Sequence, residues 1–367
     1  MSHDLTSFGY YIHVPFCARR CDYCAFATWT DRPHLIDEYL RACRTDIDRR
    51  VAQGAPPATS VFFGGGTPSL VPSSALMDVL AAIPRERDAE VTVECNPDTV
   101  TPELFDTYAR GGVNRVSLGV QSMQPHVLQS LGRTHDVANV RAAAALASAS
   151  FPTFNLDVIY GGAGETLDDW RRTLESVLEL APPHVSAYAL TIEAGTPLAD
   201  DADRHPDDDD QADKYLLATE VLRDAGLEWY EISNWARPGH ECRHNWLYWS
   251  QGEYLGVGCA AHSHRNGRRW WNVRTPERYI DAVASNHSVE AGDERLEPDA
   301  RELEALQLSL RTRAGVPADA LPDDPELRHL VVVDNGSATL TIEGRLLANE
   351  VALRLRHPSS IAGSSKT

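Results

Sequence analysis

Six stretches of the chain carry the apolar content of buried strands. They are Tyr10–Pro15 (YYIHVP), Ser60–Gly65 (SVFFGG), Glu90–Asn96 (EVTVECN), Arg115–Ser122 (RVSLGVQS), Phe154–Gly161 (FNLDVIYG) and His184–Ile192 (HVSAYALTI). All are rich in β-branched and aromatic residues. Between them, apolar residues recur at helical spacing over Leu35–Val51, Ala75–Ile83, Pro102–Arg110, Val137–Ser148 and Leu167–Leu180. Strands alternating with helices predict an α/β fold with parallel pairing through right-handed crossovers. Six such units are two short of a closed eight-stranded barrel, which leaves a partial barrel or an open doubly wound sheet.

The pattern changes after the sixth strand. The acidic run Asp200–Asp210 reads as a solvated loop, and Asp213–Ala225 as a helix. Tyr230–His264 is dense in His, Trp, Tyr and Gly. From about Pro298 an amphipathic helix begins, and Ser337–Arg356 reads as a short strand, a Gly turn and a helix. These features divide the chain into a core over 1–236, a His/Trp/Gly-rich extension over 237–290, a small helical or winged-helix-like C-terminal domain over 291–360 and a tail over 361–367.

Charge and composition narrow the function classes. The formal net charge of −19 argues against a nucleic-acid footprint. No apolar run approaches the length of a membrane span. The opening residues MSHDLTSFGY lack the basic and then apolar character of a secretion signal, so the expectation is a cytoplasmic protein. Seven cysteines, an odd number, suggest free thiols plus a metal site in a reducing compartment.

Three of those cysteines, Cys17, Cys21 and Cys24, follow the first strand with the spacing Cys-x3-Cys-x2-Cys. A zinc site would need a fourth ligand, from His13 or a distant cysteine. A cubane iron–sulfur cluster held by only three thiolates would leave one iron open to an exogenous molecule. Other unusual residues gather at or near strand C-termini, which is the active face of parallel α/β folds. Gly64-Gly65-Gly66-Thr67-Pro68 closes the second strand, Glu94 and Asn96 end the third, Gln121 ends the fourth, and Asp157 and Tyr160 lie in the fifth. The glycines fit neither a dinucleotide fingerprint nor a P-loop, but they let backbone groups approach a ligand.

The cysteine spacing after a first parallel strand, with Tyr23 before the third cysteine, resembles the radical SAM superfamily. That resemblance implies a [4Fe–4S] cluster on Cys17, Cys21 and Cys24, with S-adenosylmethionine (SAM) on the fourth iron. In order along nearly the whole chain, YIHVPFCARRCDYCAF, FFGGGTPSL, ECNPDTV, GVNRVSLGVQSM, LGRTH, FNLDVIYG, LTIEAGTPL, YEISNWARPGHECRHNWLYW and YLGVGCAAHS resemble the oxygen-independent coproporphyrinogen III oxidase group. The group implies a partial (β/α)6 barrel and SAM contacts from Tyr11, Gly65, Gly66, Thr67, Glu94, Gln121, Arg133 and Asp157.

Two features separate branches of the group. The oxidase branch carries a further cysteine soon after the third ligand, whereas here Cys24 is followed by AFATW. The heme-chaperone branch carries His-Asn-x-x-Tyr-Trp, present as His244, Asn245, Tyr248 and Trp249. The resemblance therefore implies heme binding and transfer to a hemoprotein, with Cys242 and Cys259 as further candidate iron ligands. The alternatives are decarboxylation of coproporphyrinogen III and radical chemistry on another tetrapyrrole. The identity of the acceptor, and whether the chain forms a homodimer, stay open. Three positions depart from the group pattern: Ala25 in place of an Asp, the Gly161–Thr166 loop without its proline, and Cys259 where a small residue is usual.

Overall fold

A computed structural model of the protein describes residues 7–356; the expected tail over 361–367 lies outside them. The six strands form as β1 (Phe8–Val14), β2 (Ala58–Gly65), β3 (Arg85–Cys95), β4 (Arg115–Gln121), β5 (Thr153–Tyr160) and β6 (His184–Ala189). Each lies parallel to the next in chain order. The connecting helices are α1 (Ile36–Ala52), α2 (Ser73–Ala81), α3 (Pro102–Gly111), α4 (Pro125–Ser130), α5 (Val137–Ser150) and α6 (Leu167–Leu178). This is a partial (β/α)6 barrel.

The period of two along each strand builds two unlike faces. Phe8, Tyr10, Ile12 and Val14 of β1 enter the apolar core, as do Val91, Val93 and Cys95 of β3 and Val116, Leu118 and Val120 of β4. The alternate positions turn inward, and many are polar: Ser60, Glu90, Thr92, Glu94, Arg115, Ser117, Asn155, Asp157, His184 and Ser186. Tyr11, Phe62, Glu94 and Asp157 remain partly open although they lie deep between strands. The barrel therefore has a lumen lined by hydrogen-bonding and charged groups.

The sheet continues past these six strands. Beyond β6, β7 (Glu228–Glu231) and β8 (Asn234–Ala236) pair antiparallel. At the opposite edge β9 (Glu253–Val257) runs parallel to β1, followed by antiparallel β10 (His262–Arg265), β11 (Arg268–Asn272) and β12 (Glu290–Arg295). The sheet thus has twelve strands in the order β12-β11-β10-β9-β1-β2-β3-β4-β5-β6-β8-β7.

Two local expectations are corrected. Helix α7 (Asp208–Asp224) starts inside the acidic run: Asp207 caps it by accepting from the Asp210 amide, and Asp208–Asp210 fill its first turn. Carboxylates there oppose the positive end of the helix dipole, which is why an acidic stretch folds into helix. Gly344 makes no turn. It lies in α11 (Ile342–Leu346), pressed so close to the Leu330 carbonyl that a side chain would collide. The remaining elements are α8 (Arg243–Trp249), α9 (Pro276–Ala284), α10 (Pro298–Ser309), α12 (Ala348–Ala352) and a small sheet of β13 (Val316–Pro317), β14 (Val331–Asp334) and β15 (Ser337–Leu340). Leu310, Val316, Leu327, Leu340 and Val351 form a separate apolar cluster there. No helix among the described residues is long and apolar enough to cross a membrane.

Candidate functional site

The cysteine loop leaves β1 and folds back on it. Trp29 donates its amide to the Pro15 carbonyl at 2.7 Å, and Cys17 donates to the Trp29 carbonyl at 3.1 Å. His13 holds the loop's far end through Nε2 at 2.8 Å from the Ala27 carbonyl, while its Nδ1 lies 3.2 Å from the Tyr11 hydroxyl. Both ring nitrogens are engaged, so His13 serves as a brace for the loop and is not free as a fourth metal ligand. Cys17, Cys21 and Cys24 are free thiols and half-buried. Burial pushes the Cys17 and Cys24 thiols up from their ordinary range.

Two donors point at the sulfurs: the Thr67 hydroxyl at 3.7 Å from Cys17 Sγ, and Arg133 Nη1 at 3.3 Å from Cys21 Sγ. Donors aimed at sulfur suit thiolates, the form a metal requires. No three His, Cys, Asp or Glu side chains among the described residues converge as a single-ion site would. Thiols that each bind a different iron of a cluster stand further apart than ligands sharing one ion. The residues present fit a cluster.

Facing the loop is the turn that ends β2. Gly66 and Thr67 donate their amides to the Val14 and Phe16 carbonyls at 2.8 Å each. Gly65 sits at φ +107°, and a side chain there would strike the His13 ring, so only glycine lets the turn lie against the loop's base. The Gly65 amide donates to Glu94 at 3.0 Å. Burial, with Asp157 nearby, pushes the Glu94 carboxyl up to about 8. Asp157 accepts from the Ser117 hydroxyl at 2.8 Å and from the Asn155 amide at 2.7 Å. Gln121 ends β4 in the left-handed region at φ 64°, and Arg133 reaches the Gly119 carbonyl at 3.2 Å. Gly65, Gly66, Thr67, Glu94, Gln121, Arg133 and Asp157 therefore ring one end of the lumen. Tyr11 lies lower, its ring stacked 6.3 Å from that of Phe62. Beside Cys21 a cleft of about 660 Å³ opens between Arg20, Thr196, Pro197 and Asp201.

At the opposite end α8 packs against the starts of β1–β3. Glu90 on β3 accepts from the amides of Arg243 and His244 at 3.1 and 3.2 Å and from the Cys242 thiol at 3.4 Å. A carboxylate thereby satisfies the orphan donors of the helix start. The four motif residues divide into two pairs four positions apart, which share a helix face. His244 lies between the Ser60 hydroxyl at 2.9 Å (Nδ1) and the Tyr248 hydroxyl at 2.9 Å (Nε2), and it is 1% exposed. Burial pulls its pKa down to about 3. Asn245 and Trp249 instead donate to Glu231, which burial pushes up to about 7. Cys242 and Cys259 are buried, and desolvation raises both thiols to about 12. A hydrogen-bonded chain joins the two ends: Asp157 to Asn155, Asn155 to His184 at 2.7 Å, His184 to Tyr230 at 2.8 Å, and Tyr230 to the Cys242 amide at 3.3 Å.

Residues 11–177 match the radical SAM superfamily. The chain is 41% identical to the heme chaperone HemW of Mycobacterium tuberculosis, over 95% of its own length and 94% of the relative's. This chain belongs to the HemW family. It is 40% identical to the heme chaperone HemW of Escherichia coli, over 78% of its own length and 80% of that protein. Among solved structures, its fold is similar to that of coproporphyrinogen III oxidase (HemN) from Escherichia coli, with a TM-score of 0.82, 24% identity, and 95% and 89% of the two chains covered.

Several residues of this HemW-family site escaped the sequence reading as members of it. His13 entered only as a possible zinc ligand. Glu90 and His184 carry no motif, and Asn155 and Glu231 lie within quoted motifs without being singled out, but each occupies an inward-facing or edge-strand position where a polar residue is unexpected. That misfit is the signal that could have found them.

Proposed function

We propose that the chain binds heme and delivers it to acceptor hemoproteins, using a [4Fe–4S] cluster and SAM held at the open end of the barrel. The observation that carries this reading is the 41% identity, over nearly the full length of both chains, to a protein named a heme chaperone. Cys17, Cys21 and Cys24 would hold three irons. The cluster, when bound, supplies low-potential electrons and an open iron for the amino and carboxylate groups of SAM. Gly65, Gly66 and Thr67 offer backbone and hydroxyl groups to the methionine end. Tyr11, Glu94, Gln121, Arg133 and Asp157 supply the remaining polar contacts.

For heme, His244 is the candidate ligand with the chemistry closest to hand, because its imidazole is neutral at physiological pH. It would have to release Ser60 or Tyr248 to present a ring nitrogen. Cys242 and Cys259 are less suited, since their thiols resist ionisation. Asn245 and Trp249 act by holding α8 to Glu231. The resulting motif is part anchor and part candidate ligand.

The test is hemin titration of anaerobically reconstituted protein, with iron and sulfide analysis beforehand. A saturable Soret shift is expected, and its absence sinks the chaperone reading. Incubation with coproporphyrinogen III, SAM and a reductant is expected to give no protoporphyrinogen IX; product formation would assign the oxidase activity instead.

A further inference from the structure

Arg115 begins β4 on the inner face of the barrel and is 2% exposed. A guanidinium that deep is ordinarily paired, because desolvating an unpaired charge is costly. Among the described residues Arg115 makes no ion pair, and its Nε has no hydrogen-bond partner. Glu90 and Asp157 attract it from beyond pairing distance. Glu90 is already committed to the start of α8, and Asp157 to Ser117 and Asn155.

A second orphan lies beside it. Thr92 on β3 is the direct register partner of Arg115, faces the same way, and its buried hydroxyl also lacks a partner. Continuing the register across the sheet, Thr92 pairs with Phe62 and Phe62 with Tyr11. This tilted layer of the barrel therefore carries two unsatisfied donors and two partly open rings, 6.3 Å apart and 23° from parallel. Buried polar groups without partners call for an occupant. A single-charged, planar acceptor matches a guanidinium fork, and the rings suit a flat ligand body.

We propose that Arg115 and Thr92 form a carboxylate-binding site in the floor of the lumen, with Tyr11 and Phe62 flanking the ligand that bears the carboxylate. The source of that chemistry is a propionate of heme, which rests on the function proposed above; SAM's own carboxylate is committed to the open iron at the other end of the barrel.

The site is tested first without either ligand. Sodium benzoate, compared with neutral benzamide, is titrated against the full-length protein while thermal unfolding is followed. Benzoate raises the wild-type midpoint saturably and benzamide does not; Arg115→Gln abolishes the difference, and Thr92→Val, which preserves shape, reduces it. An equal benzoate response in Arg115→Gln, or none in wild type, overturns the site and leaves only bound water there. Should Arg115→Gln fail to fold, Arg115→Lys and Thr92→Val carry the same comparison. The source is then read from affinities. Arg115→Gln weakens hemin about 10- to 100-fold, the range of a charge-assisted hydrogen-bond pair, and leaves hemin dimethyl ester and SAM unchanged. Loss of SAM affinity alone overturns the propionate assignment. A wild type that responds to benzoate but ignores hemin refutes the heme reading while retaining the site.

Discussion

The guanidinium of Arg133 lies 3.3 Å from the sulfur of Cys21 and 3.2 Å from the carbonyl of Gly119, so one side chain ties the cysteine loop to β4. Donors to a metal-bound sulfur orient the ligand and stabilise its charge. Arg133→Ala is expected to weaken iron retention about 10- to 100-fold in a chelator challenge of the reconstituted protein. Arg133→Lys recovers only part of this, because an ammonium cannot span both acceptors as the planar fork does. Equal retention in all three proteins would remove Arg133 from the site.

The His244 imidazole is held at both nitrogens, which makes its replacement a stability question as well as a heme question. His244→Ala leaves the Ser60 and Tyr248 hydroxyls unpaired and opens a cavity, and the expected cost is roughly 2–4 kcal/mol in urea unfolding. The more informative variant is Tyr248→Phe. It frees Nε2 without removing the ring, so if the imidazole binds iron, hemin affinity should rise. Unchanged or weaker Soret titration in Tyr248→Phe argues for another ligand.

The helix start at the base of the barrel depends on Glu90. Glu90→Gln keeps the shape but exchanges one of the two acceptor oxygens for a donor, and Glu90→Ala removes the acceptor from two amides and a thiol. The alanine variant is expected to lose about 1–3 kcal/mol. Hydrogen exchange should accelerate at residues 242–249 and stay unchanged in the outer helices. Uniform acceleration would mean that the helix is held by packing alone.

Stability should depend on pH through Glu94 and His244 in opposite ways. Glu94 keeps its proton to about 8 in the fold, against about 4.3 in an unfolded chain. The native state therefore binds more protons between those values, and the free energy of unfolding falls as pH rises through that window. His244 titrates near 3 in the fold, against about 6.5 when unfolded. Its contribution is complete above the unfolded value and is lost as pH falls towards 3. Glu94→Gln should flatten the alkaline side of a denaturation profile between pH 5 and 8, and a slope identical to wild type would exclude Glu94 as its source.

Much of the barrel could be read from alternation alone, because Val116, Leu118 and Val120 must face helices while the residues between them face something else. The cysteine loop was equally plain, since three thiols at that spacing have few other uses. Other parts had no local signature. Ser60 meets His244 across 184 positions, and no spacing rule joins a strand serine to a histidine so far away. Strands β7–β12 are only three to six residues each and most contain Gly, Asn or Arg, too little for alternation to show, and the charge of Asp207–Asp210 says less about its structure than its place at a helix start. Arg115 stands at the first position of its strand in the sequence; only the fold shows it enclosed.

Helix α8 seats on the starts of the barrel strands through Ser60 on β2 and Glu90 on β3. Any shift of that helix carries the His244 imidazole with it, so the candidate iron ligand and the base of the barrel travel as one piece.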